Sequence, residues 1–267
     1  MNTYVKLIVA ALLPVVTTAI IALFEKKTAF GKVNLRIRQV IYGIVFGGLA
    51  VIGTEWGIPL DGAMLNCRDA AVLTAGLFFG GPAGIIAGLI GGIERWFACF
   101  WGVGEFTRIA CTVSTIIAGF YSALLRKYLF DNKRPGWIIS LSTGVVMEVL
   151  HLTMVFLTNM SDTTKAMNVV RICTAPMVIA NGVSVMLSAV VLTVIAKEKL
   201  FVSLDKVRIS QTVQRWLLVT VLLAFAGTSV FVFSLQNRIA DAQAESLLTM
   251  AIDEVSADIS DASDTNL

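Results

Sequence analysis

Apolar positions along the chain gather in long runs instead of alternating with polar ones. Runs near residues 4–24, 39–55, 107–125, 137–158, 173–196 and 214–235 approach or reach the roughly 20 residues a helix needs to cross a bilayer. Another apolar stretch, 69–97, is 29 residues long and is broken in the middle by Gly80-Gly81-Pro82-Ala83-Gly84, a cluster that ends helices. It reads either as one long helix or as a hairpin of two short ones.

The basic residues separate these readings. Segment 25–38 holds Lys26, Lys27, Lys32, Arg36 and Arg38; segment 126–136 holds Arg126, Lys127, Lys133 and Arg134; segment 197–215 holds Lys197, Lys199, Lys206, Arg208 and Arg215. Short cytoplasmic loops are enriched in such residues. If all three segments lie inside, an even number of crossings separates the first two, and 69–97 must enter and return on one side. The expected topology starts outside and sends a first helix inward. A six-segment core over 39–196 then begins and ends in the cytoplasm, and the helix 214–235 leads out again. Hairpin arms of 12 to 14 residues span roughly 20 Å, short of a hydrocarbon core of about 30 Å, so the tip must be buried in protein. Gly76, Gly80, Gly84, Gly88 and Gly92 recur every four residues, a small-residue ladder that lets helices approach closely.

Composition agrees with the runs. The chain is 57% hydrophobic and 15% charged, with a mean hydropathy of +0.81. These values exclude a soluble enzyme, a disulfide-stapled secreted domain and a disordered tail. The first apolar run lacks a basic leader and continues for a full crossing, so it reads as an anchor and not as a cleaved signal. The net charge of +3 is unevenly spread: from Gln236 onward Arg238 stands against Asp241, Glu245, Asp253, Glu254, Asp258, Asp261 and Asp264. That acidity suits the outer side. Leu248, Ile252, Val255 and Ile259 form one face of a helix suited to packing on a partner helix, and this tail reads as the start of a missing extracytoplasmic region.

Seven basic residues fall outside the basic loops: Lys6, Arg68, Arg95, Arg108, Lys165, Arg171 and Arg238. Arg68 at the entrance of the hairpin, Arg95 at its exit and Arg108 at the start of the next helix are expected at one outer mouth. A guanidinium there could grip a carboxylate or phosphate with its planar fork of donors, or could pair with Asp69, Glu94 or Glu105 as a structural ion pair. Arg108, Cys111, Ser114 and Thr115 share one helix face, which is either pocket lining or packing. Glu148 and His151, at i and i+3, have the spacing of half a carboxylate-bridged metal site. With no second such half in the sequence, a hydrogen-bonded pair in the bundle is the expectation, and no metal or other cofactor is expected. Asn181 is expected to bond between helices. Cys67, Cys99, Cys111 and Cys173 read as packing thiols, with a Cys67–Cys99 bridge geometrically conceivable. No catalytic constellation is visible.

Leu65-Asn66-Cys67-Arg68-Asp69, followed by Ala75-Gly76-Leu77-Phe78-Phe79-Gly80-Gly81-Pro82, Ala87-Gly88-Leu89-Ile90-Gly91-Gly92 and Glu94-Arg95-Trp96, closely resembles the five-transmembrane receptor domain of the LytS/YhcK type over about residues 35–200. The resemblance implies a bacterial sensory module that precedes histidine kinases, diguanylate cyclases or phosphatases in their chains. It also implies an outward-facing pocket in a bundle similar to transporter substrate-binding subunits. Members that respond to small carboxylates such as pyruvate use two arginines of the hairpin and a Cys-x-x-Ser, which Arg68, Arg95, Cys111 and Ser114 match. The loop Phe97–Glu105 is longer than usual for the family.

The expected fold is an all-α integral membrane protein: a six-segment bundle with a glycine-rich short-helix hairpin, flanked by one extra helix on each side. The expected divisions are an anchor and basic loop (1–34), the sensor domain (35–200), a linker and last helix (201–235) and the acidic outer helix (236–267). The expected function is a multi-pass sensor of the bacterial cytoplasmic membrane that binds a small anionic metabolite. Its ligand residues are expected to be Arg68, Arg95, Cys111, Ser114, Asn66, Asp69, Arg108, Glu94 and His151. A transporter substrate-binding subunit is the alternative. The expected partners are the carboxylate ligand, the lipid bilayer and a second copy in a homodimer, with no nucleic acid; the signalling enzyme is expected in the parent protein and not in this chain.

Overall fold

The computed structural model describes residues 3–60, 63–102 and 104–198, and positions of a helical stretch between 217 and 255. Two units divide the chain, Met1–Ala226 and Gly227–Leu267. In the second, the described residues are helical, and Leu248, Ile252 and Val255 are each more than half exposed. Ile259 and most of the expected helix 214–235 lie outside the described residues.

The first unit is built from helices α1 (Thr3–Lys27), α2 (Leu35–Glu55), α3 (Arg68–Thr74), α4 (Gly81–Ala98), α5 (Arg108–Leu124), α6 (Trp137–Thr158) and α7 (Thr163–Ala196). Five stretches are long and apolar enough to cross a membrane: Val5–Lys27, Leu35–Glu55, Arg108–Leu129, Trp137–Thr158 and Met160–Ala196. Boundaries shift from the hydropathy runs where local chemistry decides them. Asn34 caps α2 by accepting from the Arg36 amide at 2.9 Å, and Asp162 caps α7 by accepting from the Lys165 amide at 3.0 Å, so α7 starts ten residues before the run at 173. Pro176 sits inside α7 without ending it.

The stretch 69–97 is a hairpin. Its first arm is α3 continued by a π-turn, Ala75–Phe79, and every residue of this arm is buried. Gly80 makes the turn at φ +124°, a conformation that favours glycine, and α4 returns. The glycine ladder is therefore not one stripe. A Cβ on Gly84 would stand 2.6 Å from Gly76 Cα across the hairpin, and one on Gly88 would stand 3.0 Å from Gly119 Cα of α5. Gly91 faces Ala50 of α2. The helix α4 thus packs between α2 and α5, and the same device recurs where a Cβ on Gly144 of α6 would stand 2.8 Å from Gly182 Cα of α7. A two-stranded antiparallel ribbon, β1 (Ile58–Leu60) and β2 (Ala63–Leu65), feeds the hairpin. The hydropathy pattern did not announce it.

The first two basic segments meet the end of α7 at one end of the bundle. Lys26 Nζ donates to the Ile195 carbonyl at 3.3 Å, Arg38 pairs with Glu25, and Arg126 donates to the Leu77 carbonyl at the hairpin tip. A cavity of about 210 Å³ there is lined by Arg38, Arg126, Arg134 and Gly80, among others. The tip and both basic loops share this end, as an even number of crossings requires.

Close backbone approach makes Gly84→Ala destabilising by about 1–3 kcal/mol through overpacking. Gly48 has open space around it, and Gly48→Ala should leave stability unchanged or slightly higher. Thermal unfolding in detergent checks the pair; equal melting temperatures for the two variants would refute the packing.

Candidate functional site

Asn66 sets the entry to α3: its side-chain carbonyl accepts from the Arg68 amide at 3.2 Å and its amide donates to the Met64 carbonyl at 3.0 Å. This turn commits Arg68 and Asp69 to the first turn of a buried helix. Gly53 of α2 and Gly91 of α4 leave room for Arg68, a Cβ on each lying 3.3 Å from its Cα and 3.7 Å from its Cδ.

Arg68 is fully buried, and its donors are occupied by neutral partners. Nε donates to Thr115 Oγ1 at 2.7 Å, Nη1 to Thr54 Oγ1 at 3.2 Å and Nη2 to the Cys111 carbonyl at 3.4 Å. Thr115 in turn donates to Asp69 Oδ1 at 2.8 Å, and Ser114 donates weakly to Oδ2 at 3.4 Å. The ion pair Arg68–Asp69 is loose, 3.8 Å, because Thr115 stands between the two groups.

The other side of Asp69 faces α6. His151 Nδ1 lies 3.2 Å from Asp69 Oδ2 and 3.1 Å from Glu148 Oε1, yet neither oxygen lies in line for a hydrogen bond with it. The opposite ring nitrogen, Nε2, is 3.2 Å from Cys111 Sγ. Asn181 of α7 donates to Glu148 Oε2 at 2.7 Å and accepts from the Ala70 amide at 2.9 Å. Asp69, Glu148, His151, Cys111, Ser114 and Asn181 are all buried. One polar network thus joins α3, α5, α6 and α7, in a low-dielectric setting where unmet polar groups are costly.

Arg95 is buried at the far end of α4. Its Nη2 donates to the Gly104 carbonyl at 2.6 Å and to Thr107 Oγ1 at 3.4 Å, while Nε and Nη1 find no acceptor among the described residues. Gly104 adopts φ +104°, and a Cβ there would collide with Arg95 Nη2 at 2.6 Å. The loop between α4 and α5 is thus shaped around the guanidinium. Neither oxygen of Glu94 has a hydrogen-bond partner among the described residues.

Arg108 turns the other way. Its guanidinium stacks 3.9 Å from the Trp96 ring and 5.0 Å from that of Phe100. It lines a cavity of about 770 Å³ with Glu105, Phe106 and Lys165, among others, on the far side of Gly104. Lys165 Nζ sits 4.8 Å from the Phe106 ring.

Of the residues expected at the mouth, Arg68, Asp69, Cys111, Ser114 and His151 converge in the network. Asn66 shapes the turn beneath them, Arg95 sits under the loop, and Arg108 belongs to the vestibule. Glu148 and His151 do pair, at 3.1 Å. The alternative pairings of Arg95 with Glu94 or Glu105 do not occur: among the described residues Arg95 has no carboxylate within ion-pair distance. All four cysteines are free thiols. Sequence reasoning missed Thr54, whose hydroxyl near the end of an apolar run was the available signal, and Lys165, set aside as one basic residue among seven. It also missed that Asp69 supplies the second carboxylate for Glu148 and His151.

The family model described as "5TMR of 5TMR-LYT" matches residues 21–195. Among curated proteins, the chain is 32% identical over 111 residues to "Sensor histidine kinase YpdA" of Escherichia coli, covering 42% of this chain and 19% of that protein. It is 27% identical over 143 residues to "Sensor histidine kinase BtsS" of the same organism, covering 52% of this chain and 25% of that protein. It is 25% identical over 142 residues to "Sensor protein LytS" of Bacillus cereus, covering 52% of this chain and 23% of that protein. The aligned segment is thus a quarter or less of these relatives. No solved structure matches the chain. With the family match spanning most of the chain, and the hairpin motifs and the helices from α2 onward falling within it, the protein belongs to the LytS-type five-transmembrane receptor family and is a multi-pass protein of the inner membrane.

Proposed function

We propose that this chain is the sensing part of a signal-transduction protein and binds a small carboxylate at the end of the bundle that carries Arg68 and Arg95. The reading rests on one observation: Arg95 is fully buried, with two nitrogens that meet no protein acceptor among the described residues. A buried guanidinium with two unmet nitrogens and no carboxylate counterpart among the described residues is costly to keep, and a carboxylate is the ligand whose geometry its fork matches. Arg68, Cys111 and Ser114 stand beside the same network. The basic loops at the opposite end make this the outer end under the positive-inside rule. A bound anion that favours one arrangement of the hairpin over another would be read at its tip, where Arg126 grips Leu77.

Two of the named relatives are sensor histidine kinases, so a kinase is the proposed output of the parent protein, with a dimer of this chain as its proposed assembly. The vestibule extends the same reading. Arg108 and Lys165 have no carboxylate within ion-pair distance among the described residues, and a cationic cleft raises the association rate of anions.

Calorimetry on purified chain with pyruvate and related small carboxylates should show binding that Arg68→Ala and Arg95→Ala each weaken about 10- to 100-fold, the worth of charge-assisted hydrogen bonds of about 1.5–3 kcal/mol. No binding by the unmodified chain, or unchanged affinity in both variants, refutes the reading. Uptake of the carboxylate into liposomes in the presence of an energising ATPase would instead assign the pocket to a transporter subunit. For the vestibule, Arg108→Gln combined with Lys165→Gln should slow association about tenfold at low salt, converging on the unmodified rate at high salt, where charges are screened. Equal association rates at low salt would show that the vestibule steers nothing.

A further inference from the structure

Asp69, Glu148 and His151, all buried, each place one ligand atom within 4.8 Å of the others. Three features set them apart from an ordinary ion-pair cluster. The first is direction. Asp69 Oδ2 and Glu148 Oε1 stand 3.2 and 3.1 Å from Nδ1, yet among the described residues neither Nδ1 nor Glu148 Oε1 has a hydrogen-bond partner. Donors bonded to one ion at about 2.0–2.2 Å stand about 3.0–3.6 Å apart, flanking the nitrogen's axis. The contacts therefore have the spacing of ligands around a shared centre and lack the line of a hydrogen bond.

The second feature is support. The remaining oxygen of each carboxylate is tied down, Glu148 Oε2 by Asn181 and Asp69 Oδ1 by Thr115, and the remaining ring nitrogen faces Cys111 Sγ. Outer partners of this kind orient metal ligands and fix the histidine tautomer. The third is charge. Asp69 has Arg68 at 3.8 Å, but among the described residues Glu148 faces no arginine or lysine within ion-pair distance, only His151. A divalent cation would balance the two carboxylates.

We propose that Asp69, Glu148 and His151 form a binding site for one divalent first-row transition ion, pinning the hairpin to α6. One imidazole and two carboxylates suit zinc, manganese or iron(II) better than calcium or magnesium, which take oxygen ligands alone. The site holds whether or not a carboxylate metabolite binds beside Arg68, so the two readings fail separately. Burial of every ligand means the ion enters as the bundle folds and exchanges slowly.

The test is elemental analysis of the full chain, purified without a histidine tag, followed by titration of chelator-treated protein with cobalt(II) as a spectroscopic probe. About one equivalent of metal should co-purify, and cobalt should give ligand-field bands without a thiolate charge-transfer band. Glu148→Gln and His151→Gln should each lose the equivalent, Asn181→Ala should weaken binding about 10- to 100-fold, and Cys111→Ser should keep it. If a variant does not fold, the unmodified chain still decides. Absence of both a co-purifying equivalent and any cobalt spectrum, or metal retained in folded Glu148→Gln, overturns the proposal and leaves the imidazole as the sole counterpart of the two carboxylates.

Discussion

Asp69 sits where the shortest helix of the bundle meets three longer ones, and much of the architecture follows from the need to satisfy its buried carboxylate. One oxygen is held by Thr115, which also receives Arg68; the other faces His151 and, through it, Glu148 and Cys111. With every member of the network buried, losing any of these partners leaves a polar group unmet at a cost. Moving α3 by the width of a side chain would strand several polar groups together, so the network fixes the depth and rotation of the hairpin's first arm. It also restrains α5, α6 and α7, which supply the partners.

The glycines are the steric counterpart of that electrostatic constraint. A short first arm that is buried on all sides can enter the bundle only if its neighbours give up side-chain volume. Gly53 and Gly91 do so around Arg68, Gly76 and Gly84 do so across the hairpin, and Gly88 and Gly119 do so against α5. The π-turn from Ala75 to Phe79 carries the arm to Gly80 and places the Leu77 carbonyl beside Arg126. The arm thus connects the polar network to the end of the bundle that carries the basic loops.

Much of the fold was legible because hydropathy and charge act independently along a membrane chain. The Lys and Arg counts demanded an even crossing number, and the breaker at Gly80 supplied the place for the return. Periodicity was less informative about the ladder, since Gly76 and Gly84 share a four-residue rhythm in sequence yet lie on opposite arms. Arg68, Cys111, Ser114 and His151 were legible as costly polar groups in apolar runs. Their grouping was not, because the link from α3 to α6 runs through Asp69, and a carboxylate next to an arginine reads in sequence as that arginine's partner. Arg108 shows the converse. Its helix face groups it with Cys111 and Ser114, but Trp96 and Phe100 offer aromatic faces that hold its guanidinium outside.

On the proposed reading, Arg95 is retained chiefly for a ligand, since only Nη2 is used to hold the loop. Thermal unfolding of Arg95→Met in detergent, with and without carboxylate, measures this directly. A guanidinium buried with unmet donors should cost the unliganded protein stability. Arg95→Met should therefore melt at or above the temperature of the unmodified chain and gain nothing from the carboxylate that stabilises the latter. A marked drop in the melting temperature of ligand-free Arg95→Met, with carboxylate stabilisation preserved, would contradict that role.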